Sequence, residues 1–135
     1  MGRIKFYADA SKVGMPFISI NVEGFQMIMM IDTGSTNNVL FRYVYQQVRE
    51  QLREVETDYT ITGIDGKPNK VICVVGNALL GGNRHEMSFL VREDDDAGIM
   101  LSQEMGFPVC GIIGTLFMAE HGWMLDFANQ EVIYE

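Results

Sequence analysis

One short segment of the sequence holds the residue types that proton-transfer chemistry needs. Asp32, Thr33, Gly34 and Ser35 follow directly after the apolar residues 28–31. A carboxylate can accept and return a proton, the two hydroxyls can hydrogen-bond it or the nearby backbone, and glycine lets a ligand approach closely. The same residue types are also favoured in ordinary turns and helix caps. The segment alone therefore identifies a candidate site and leaves a plain turn as the alternative.

The residues before Asp32 predict the strand that would position it. Residues 17–22 alternate between apolar and polar, and the turn signal Glu23-Gly24 separates them from the apolar residues 25–31. Two such strands around a short turn predict a hairpin. Because the second strand ends in a turn, Asp32 would lie at the strand end, where a carboxylate can meet a ligand.

Further strands and one clear helix are predicted along the chain. Residues 1–13 are typical of an edge strand or an interface arm. Apolar residues at helical spacing predict a helix over residues 42–55. An Asp-Gly turn predicts a hairpin with its tip at residues 63–67, and a second hairpin joins residues 71–80 with residues 86–91.

The C-terminal part of the sequence predicts a strand, a short helix and two closing strands. Gly111 and Gly114 interrupt the apolar strand 109–115, and glycine within a strand marks a tight bend or the close approach of another backbone. A short helix at residues 116–121 makes His121 a helix-terminal residue. The remaining predictions are strands at 123–127 and 131–134, a structural role for Asp126, and either a helix or an irregular connection at 100–106. Many short strands with little helix predict a mostly β, barrel-like domain.

Composition and cysteine usage limit the class of protein. With 135 residues, 47% hydrophobic and 21% charged, the chain fits one globular domain over residues 1–135. No apolar run approaches the roughly 20 residues that cross a bilayer, and a net charge of -8 disfavours nucleic acid as a partner. Cys73 and Cys110 could pair or stay reduced, and their apolar neighbours favour buried free thiols. His85 and His121 stand alone, so we predict no metal site and no cofactor. The first residues lack the apolar core of a signal peptide, which leaves the compartment open.

Three separated motifs, taken in order, resemble those of the retropepsin-like aspartic proteases, the single-domain type found in retroviruses. The first is the Asp-Thr-Gly-Ser loop after an apolar strand, and the second is the hairpin at 63–67. The third is Gly111-Ile112-Ile113-Gly114 before a short helix and a final Trp-Met-Leu-Asp-Phe strand. The resemblance covers roughly residues 17–134. It implies a small closed β-barrel with one or two helices.

The resemblance also implies roles for individual residues. Asp32 would be the catalytic aspartate, Thr33 would brace the loop of a partner subunit, and Gly34 would make room for the substrate backbone. The Ser35 hydroxyl would hydrogen-bond the aspartate. The flap over the substrate would comprise Gly63, Ile64, Asp65 and Gly66, and the second-motif loop would comprise Ile112, Ile113 and Gly114. Ile64, Ile112 and Ile113 suggest a preference for hydrophobic substrate side chains, although core packing explains the last two equally well.

The number of suitable aspartates predicts how many chains the site needs. Only Asp32 among the aspartates lies in an Asp-Thr-Gly setting, so one chain supplies half of a catalytic pair. The second carboxylate would come from a second copy across a two-fold axis. The predicted activity is therefore that of a homodimeric aspartic endopeptidase acting on peptide or protein substrates. The alternative is a peptide-binding or protein-interaction module that keeps the fold without turnover.

Overall fold

The computed structural model describes residues 1–56, 60–62, 68–92 and 95–135. The strands in these ranges are β1 (Gly2–Lys5), β2 (Phe17–Val22), β3 (Phe25–Ile31), β4 (Val39–Leu40), β5 (Arg53–Val55), β6 (Thr60–Thr62), β7 (Pro68–Lys70), β8 (Ile72–Leu80), β9 (Asn83–Val91), β10 (Gly111–Ile113), β11 (Met124–Asp126) and β12 (Glu131–Tyr134). The helices are α1 (Ala10–Val13), α2 (Arg42–Val48), α3 (Asp96–Met105) and α4 (Thr115–Glu120), with a 3-10 turn at Arg49–Gln51.

Six of the strands close into a barrel. The ring runs β2, β3, β10, β4, β9, β8, and β8 pairs back with β2 at Asn21–Leu79 and Val22–Ala78. Alternate residues of these strands point inward and fill the barrel with buried apolar side chains, among them Ile20, Met27, Met29, Leu80, Met87 and Phe89. The predicted mostly β, closed-barrel class is confirmed. The described residues hold more helical segments than the one or two expected, because α1 is a single capped turn and α3 is a full helix.

Both hairpins of the barrel depend on backbone with positive φ. Glu23 and Gly24 have φ of 51° and 89°, and Gly81 and Gly82 have φ of 58° and 85°. Two central residues with positive φ make the turn that matches the right-handed twist of the flanking strands. The first hairpin is confirmed. The second is tighter than predicted, since β9 begins at Asn83 directly opposite Leu80 and not at residue 86.

The predicted helix over residues 42–55 is wrong in its second half. Helix α2 ends at Val48, Leu52 is extended at ψ 150°, and β5 pairs antiparallel with residues 73–75 of β8. Val44, Val48 and Leu52 keep the helical spacing that misled the prediction. Hydrogen bonding to the open side of β8 outweighs that local pattern, because tertiary context overrides weak helix propensity.

Residues 100–106, for which the sequence allowed either a helix or an irregular connection, belong largely to helix α3, which starts four residues earlier, at Asp96. The helix ends at Met105, and the next residue, Gly106, has a φ of 79°, the left-handed conformation common after helices. Gly98 lets α3 lie against α2, because a Cβ there would meet Phe41 at 2.7 Å. The Asp95 carboxylate just before α3 accepts a hydrogen bond from Tyr43 N at 2.8 Å and so supports the start of α2.

The N-terminal segment is an edge strand. Strand β1 pairs antiparallel with β12 in a three-stranded sheet whose order is β1, β12, β11. Arg3 forms an ion pair with Glu131 across that pairing. Asp9 caps α1 by accepting Ser11 N at 3.0 Å, and Gln130 accepts Ala10 N at 2.8 Å. These bonds hold the start of the chain against the turn between β11 and β12.

Candidate active site

The Asp-Thr-Gly-Ser loop lies where three barrel strands meet. Strand β3 ends at Ile31, the loop of residues 32–38 follows, and β4 continues the chain. Strand β10 inserts between them, parallel to β3 and antiparallel to β4. Asp32 N donates to Ile113 O at 3.0 Å, which attaches the first loop residue to the end of β10. The structure therefore brings the first and third sequence motifs together.

The half-buried Asp32 carboxylate is oriented by its own loop. Gly34 N donates to Asp32 Oδ1 at 2.8 Å, and Ser35 N donates to Asp32 O at 3.1 Å. This main-chain hydrogen bond fixes the direction of the carboxylate. Glycine at position 34 leaves room for this contact, since a Cβ there would lie only 3.2 Å from Asp32 Oδ1 and crowd it.

Helix α4 is joined to the same loop at its N-terminus. The first N–H groups of a helix have no partner within the helix. Here Thr115 N donates to Ser35 O at 2.7 Å and Leu116 N donates to Thr36 O at 3.1 Å. The Thr115 hydroxyl adds a third bond, to Thr33 O at 2.9 Å. The loop carbonyls thus satisfy the donors of α4, and the helix fixes the loop.

Gly111 and Gly114 have the role that the sequence predicted for them. A Cβ at Gly114 would lie 2.5 Å from Asn37 O and 2.8 Å from Ser35 O. A Cβ at Gly111 would collide with Val39 O. Both glycines are buried, and each permits main chain to pass against main chain.

Asn38 is a site-supporting residue that sequence reasoning missed. Its side chain is buried, accepts from Gly114 N at 2.9 Å and donates to Ser88 O at 3.0 Å. Its main-chain O accepts Leu90 N at 2.9 Å. Asn38 therefore joins the loop of residues 32–38 to β9 and to the start of α4. The available signal was the second of two consecutive asparagines, directly before the apolar residues of β4, which a turn explains equally well.

The resemblance implied roles for two loop side chains, Ser35 and Thr33, whose surroundings in the single chain are as follows. The Ser35 hydroxyl donates to Asn37 O at 2.9 Å. Since a hydroxyl carries one hydrogen, this bond takes the donor that the resemblance assigned to Asp32. Thr33 is exposed on the surface of the single chain.

The other predicted site residues fall into two groups. Gly63, Ile64, Asp65 and Gly66 lie outside the described residues, although the flanking strands β6 and β7 pair antiparallel as a hairpin requires. Ile113 is fully buried in the main core, and Ile112 is half-buried against the cluster of Phe17, Phe41 and Val109.

An apolar cavity of about 290 Å³ lies between the Asp-Thr-Gly-Ser loop, α4 and β11. Its lining residues are Thr33, Thr115, Met118, Ala119, Gly122, Trp123 and Leu125. Trp123 Nε1 is buried without a hydrogen-bond partner. Leu116 is 61% exposed and stands one helical turn from Ala119 of the cavity lining. We call Thr33, Leu116, Ala119 and this cavity the α4 face.

The remaining titratable groups divide into structural and paired residues. Asp126 accepts Asn129 Nδ2 at 2.8 Å and Asn129 N at 3.0 Å, bonds that hold the pKa of its carboxyl below the ordinary value. The predicted structural role of Asp126 is confirmed, as is His121 at the end of α4.

His85 and His121 were expected to stand alone, yet their ring centroids are 4.7 Å apart. Within the described ranges no three His, Cys, Asp or Glu side chains are grouped to hold a metal ion, and Cys73 and Cys110 are free and half-buried.

Three proteins of known structure share this arrangement of strands. The EIAV protease in complex with the inhibitor HBY-793 has a TM-score of 0.56 at 15% identity, over 78% of this chain and 86% of that one. A retropepsin-like aspartic protease from Rickettsia conorii has a TM-score of 0.56 at 14% identity, over 98% and 86%. The retroviral protease-like domain of Ddi1 from Leishmania major has a TM-score of 0.57 at 14% identity, over 90% and 94%. By sequence, no protein-family model and no curated protein matches the chain. The chain has a retropepsin-like fold.

None of the helices in the described ranges has the length and apolar character that spanning a membrane requires.

Proposed function

We propose that this chain is an aspartic endopeptidase whose catalytic pair consists of two Asp32 carboxylates, one from each of two identical copies. The observation that carries the proposal is the setting of Asp32. It follows a buried strand, it is oriented by Gly34 N, and its loop is bonded to the second motif in a retropepsin-like fold. A two-fold axis is the simplest way to bring two such carboxylates together.

The proposed chemistry uses one shared proton. Two carboxylates in contact cannot both ionise, so one holds a proton, and aspartic proteases are the established example. The ionised Asp32 takes a proton from a water molecule, which attacks the scissile carbonyl, while the protonated Asp32 donates to the carbonyl oxygen. In this proposal Gly63, Ile64, Asp65 and Gly66 form the flap that holds an extended peptide and excludes water.

The α4 face supports a second copy as the partner. It contains Thr33 of the active-site loop, so a copy seated there would lie beside Asp32. It offers both an apolar cavity and the exposed apolar side chain of Leu116, the combination that a self-complementary interface needs. A partner there would also cover apolar surface that the single chain leaves in water.

The activity is tested with the Asp32→Asn variant beside the wild type. Both are incubated with a peptide library from acidic to neutral pH, and the products are read by mass spectrometry. We expect cleavage by the wild type and a loss in kcat/KM of about 10²–10⁴-fold or more in the variant, because asparagine cannot transfer a proton. Cleavage that survives the substitution would falsify the role of Asp32. Peptide binding by a strict monomer without cleavage would favour the interaction module.

The interface is tested by two charge substitutions at equally exposed methyl-bearing side chains. Leu116→Glu places a charge on the α4 face, whereas Met100→Glu places one on α3, where Met100 is 63% exposed. We expect Leu116→Glu to convert the dimer to a folded monomer without proteolysis, because a charge in an apolar interface is costly. Met100→Glu should leave mass and activity unchanged. Sedimentation and circular dichroism distinguish dissociation from unfolding, and a dimer that persists in Leu116→Glu contradicts the proposed interface.

A further inference from the structure

The far end of α4 carries a cluster of rings that the proposed chemistry does not use. His121, the residue after α4, lies against Phe117 with ring centroids 4.3 Å apart, and Phe117 contacts Trp123 at 5.7 Å. His85 of β9 meets His121 edge to face at 4.7 Å. The chain has two histidines, so both of them are in this contact. It is a contact between the end of α4 and the β8–β9 hairpin.

We propose that His85 and His121 form a pH-sensitive contact that holds the end of α4 against the β8–β9 hairpin while at least one ring is neutral and releases it when both are protonated. Neutral imidazoles can pack edge to face like other aromatic rings. Two imidazolium ions at this separation repel each other, and the half-buried site limits screening by water. Release is therefore an event of acidic pH.

The charged groups around the pair make the second proton the decisive one. Glu120 precedes His121 and favours its protonated form, while burial and His85 hold the pKa of His121 below the ordinary value. Glu135 lies close by, since Glu135 N donates to His121 O at 3.3 Å. Arg84 and Glu86 flank His85 along β9 and, by strand alternation, point to the other face. These carboxylates can compensate one imidazolium, but two protons leave the rings in direct repulsion.

The consequence for the rest of the molecule follows from what α4 contacts. Its N-terminus donates to Ser35 O and Thr36 O of the active-site loop, and its inner side borders the apolar cavity. In the single chain, a helix whose far end is released has space to move into, because the cavity lies between α4 and the loop. Movement of α4 would shift the loop carbonyls that its N–H groups bind. Acid would thus loosen the active-site loop through a contact at the opposite end of the helix.

The test follows the two histidines and the α4 amides by NMR from neutral to acidic pH. In the wild type we expect the ring signals of the two histidines to change in two coupled steps. Below the second, amide exchange of residues 115–121 and 33–36, corrected for the intrinsic pH dependence, should rise by about tenfold or more. His85→Gln and His121→Gln should each leave one histidine with a single titration and no such rise. Two variants are used so that misfolding of one leaves the other informative.

Arg84→Gln is the matched control. It changes the charge of the same hairpin by one without touching the ring pair, and it should behave like the wild type. The proposal is wrong if the two histidines of the wild type titrate independently, or if either His variant keeps the acid-induced rise in exchange. The measurement needs no catalysis, so a negative result leaves the proposed protease function in place, and a protein without proteolytic activity can still show the released state.

Discussion

The two ends of α4 are held by different kinds of interaction. At the N-terminal end, Thr115 and Leu116 donate main-chain hydrogen bonds to the active-site loop, and Gly114 allows backbone to touch backbone. At the C-terminal end the contacts are mainly between rings, those of His121 with His85 and Phe117 beside a cavity, with one main-chain bond from Glu135 N to His121 O at 3.3 Å. Close packing and backbone hydrogen bonds contain no group that titrates near neutral pH, whereas the histidine contact depends on protonation. The comparison indicates that the position of α4 is fixed at its N-terminal end and can change at its C-terminal end.

The largest effect should come from adding one carbon at the fixed end. Gly114→Ala places a Cβ 2.5 Å from Asn37 O, and neither backbone can withdraw without breaking the bonds between α4 and the loop. We expect a loss of about 3 kcal/mol in the free energy of unfolding, the upper end of the usual cost of overpacking, because main chain pressed against main chain has little room to relax. Urea denaturation measures it.

Thr36→Ala is the control for that substitution. Its side chain is exposed, and the main-chain O that accepts Leu116 N remains, so the change should stay within about 0.5 kcal/mol of the wild type. Equal stability of Gly114→Ala and the wild type would show that the two backbones are not in contact there, and the contrast between the ends of α4 would disappear.

Around the N-terminal end of α4, the sequence revealed those features whose cause lies in the residues themselves. The apolar strand before Asp32 and the glycines of the third motif are visible as composition, because a buried strand needs apolar residues and a close backbone contact needs glycine. Glu23-Gly24 likewise identifies its own hairpin. In each case the residues that carry the signal are also the residues that form the structure.

The parts that escaped prediction depend on distant partners. Asn38 bonds Ser88 and Gly114, which lie 50 and 76 residues away, and nothing beside Asn38 indicates either. Leu52 continues the helical spacing of α2 but lies at the start of a strand, because β8 offers hydrogen bonds there. The pairing of His85 with His121 exists only because α4 and the β8–β9 hairpin meet in the fold.

An intermediate effect should follow from a change of one atom in Asn38. Asn38→Asp keeps an acceptor for Gly114 N but replaces the donor to Ser88 O with a carboxylate oxygen. We expect a loss of about 2 kcal/mol at neutral pH, the cost of an unmade buried hydrogen bond. Acid should restore part of it, because the protonated carboxyl can again donate to Ser88 O. This would add a titrating contact to the end of α4 that has none.

Denaturation of Asn38→Asp across pH measures this, with Asn83→Asp as the matched control. Asn83 is exposed at the first residue of β9, so the same chemical change there should leave stability close to the wild type. If the stability of Asn38→Asp does not rise toward acidic pH relative to the Asn83→Asp control, the bond to Ser88 does not hold the loop.

The smallest effect concerns the carboxyl of Asp126, at the turn between β11 and β12. Hydrogen bonds from Asn129 hold the pKa of Asp126 below its ordinary value. The native carboxyl therefore binds a proton less readily than the unfolded one. Its contribution to stability is complete above about pH 4, the ordinary value, and is lost as pH falls through the lower native pKa.

Asn129→Ala removes the side-chain bond, so the variant should be slightly less stable than the wild type above about pH 4 and should converge with it in stronger acid. Denaturation midpoints measured across this range test the expectation. A difference that stays constant at every pH would assign the role of Asn129 to the turn itself and not to the carboxylate.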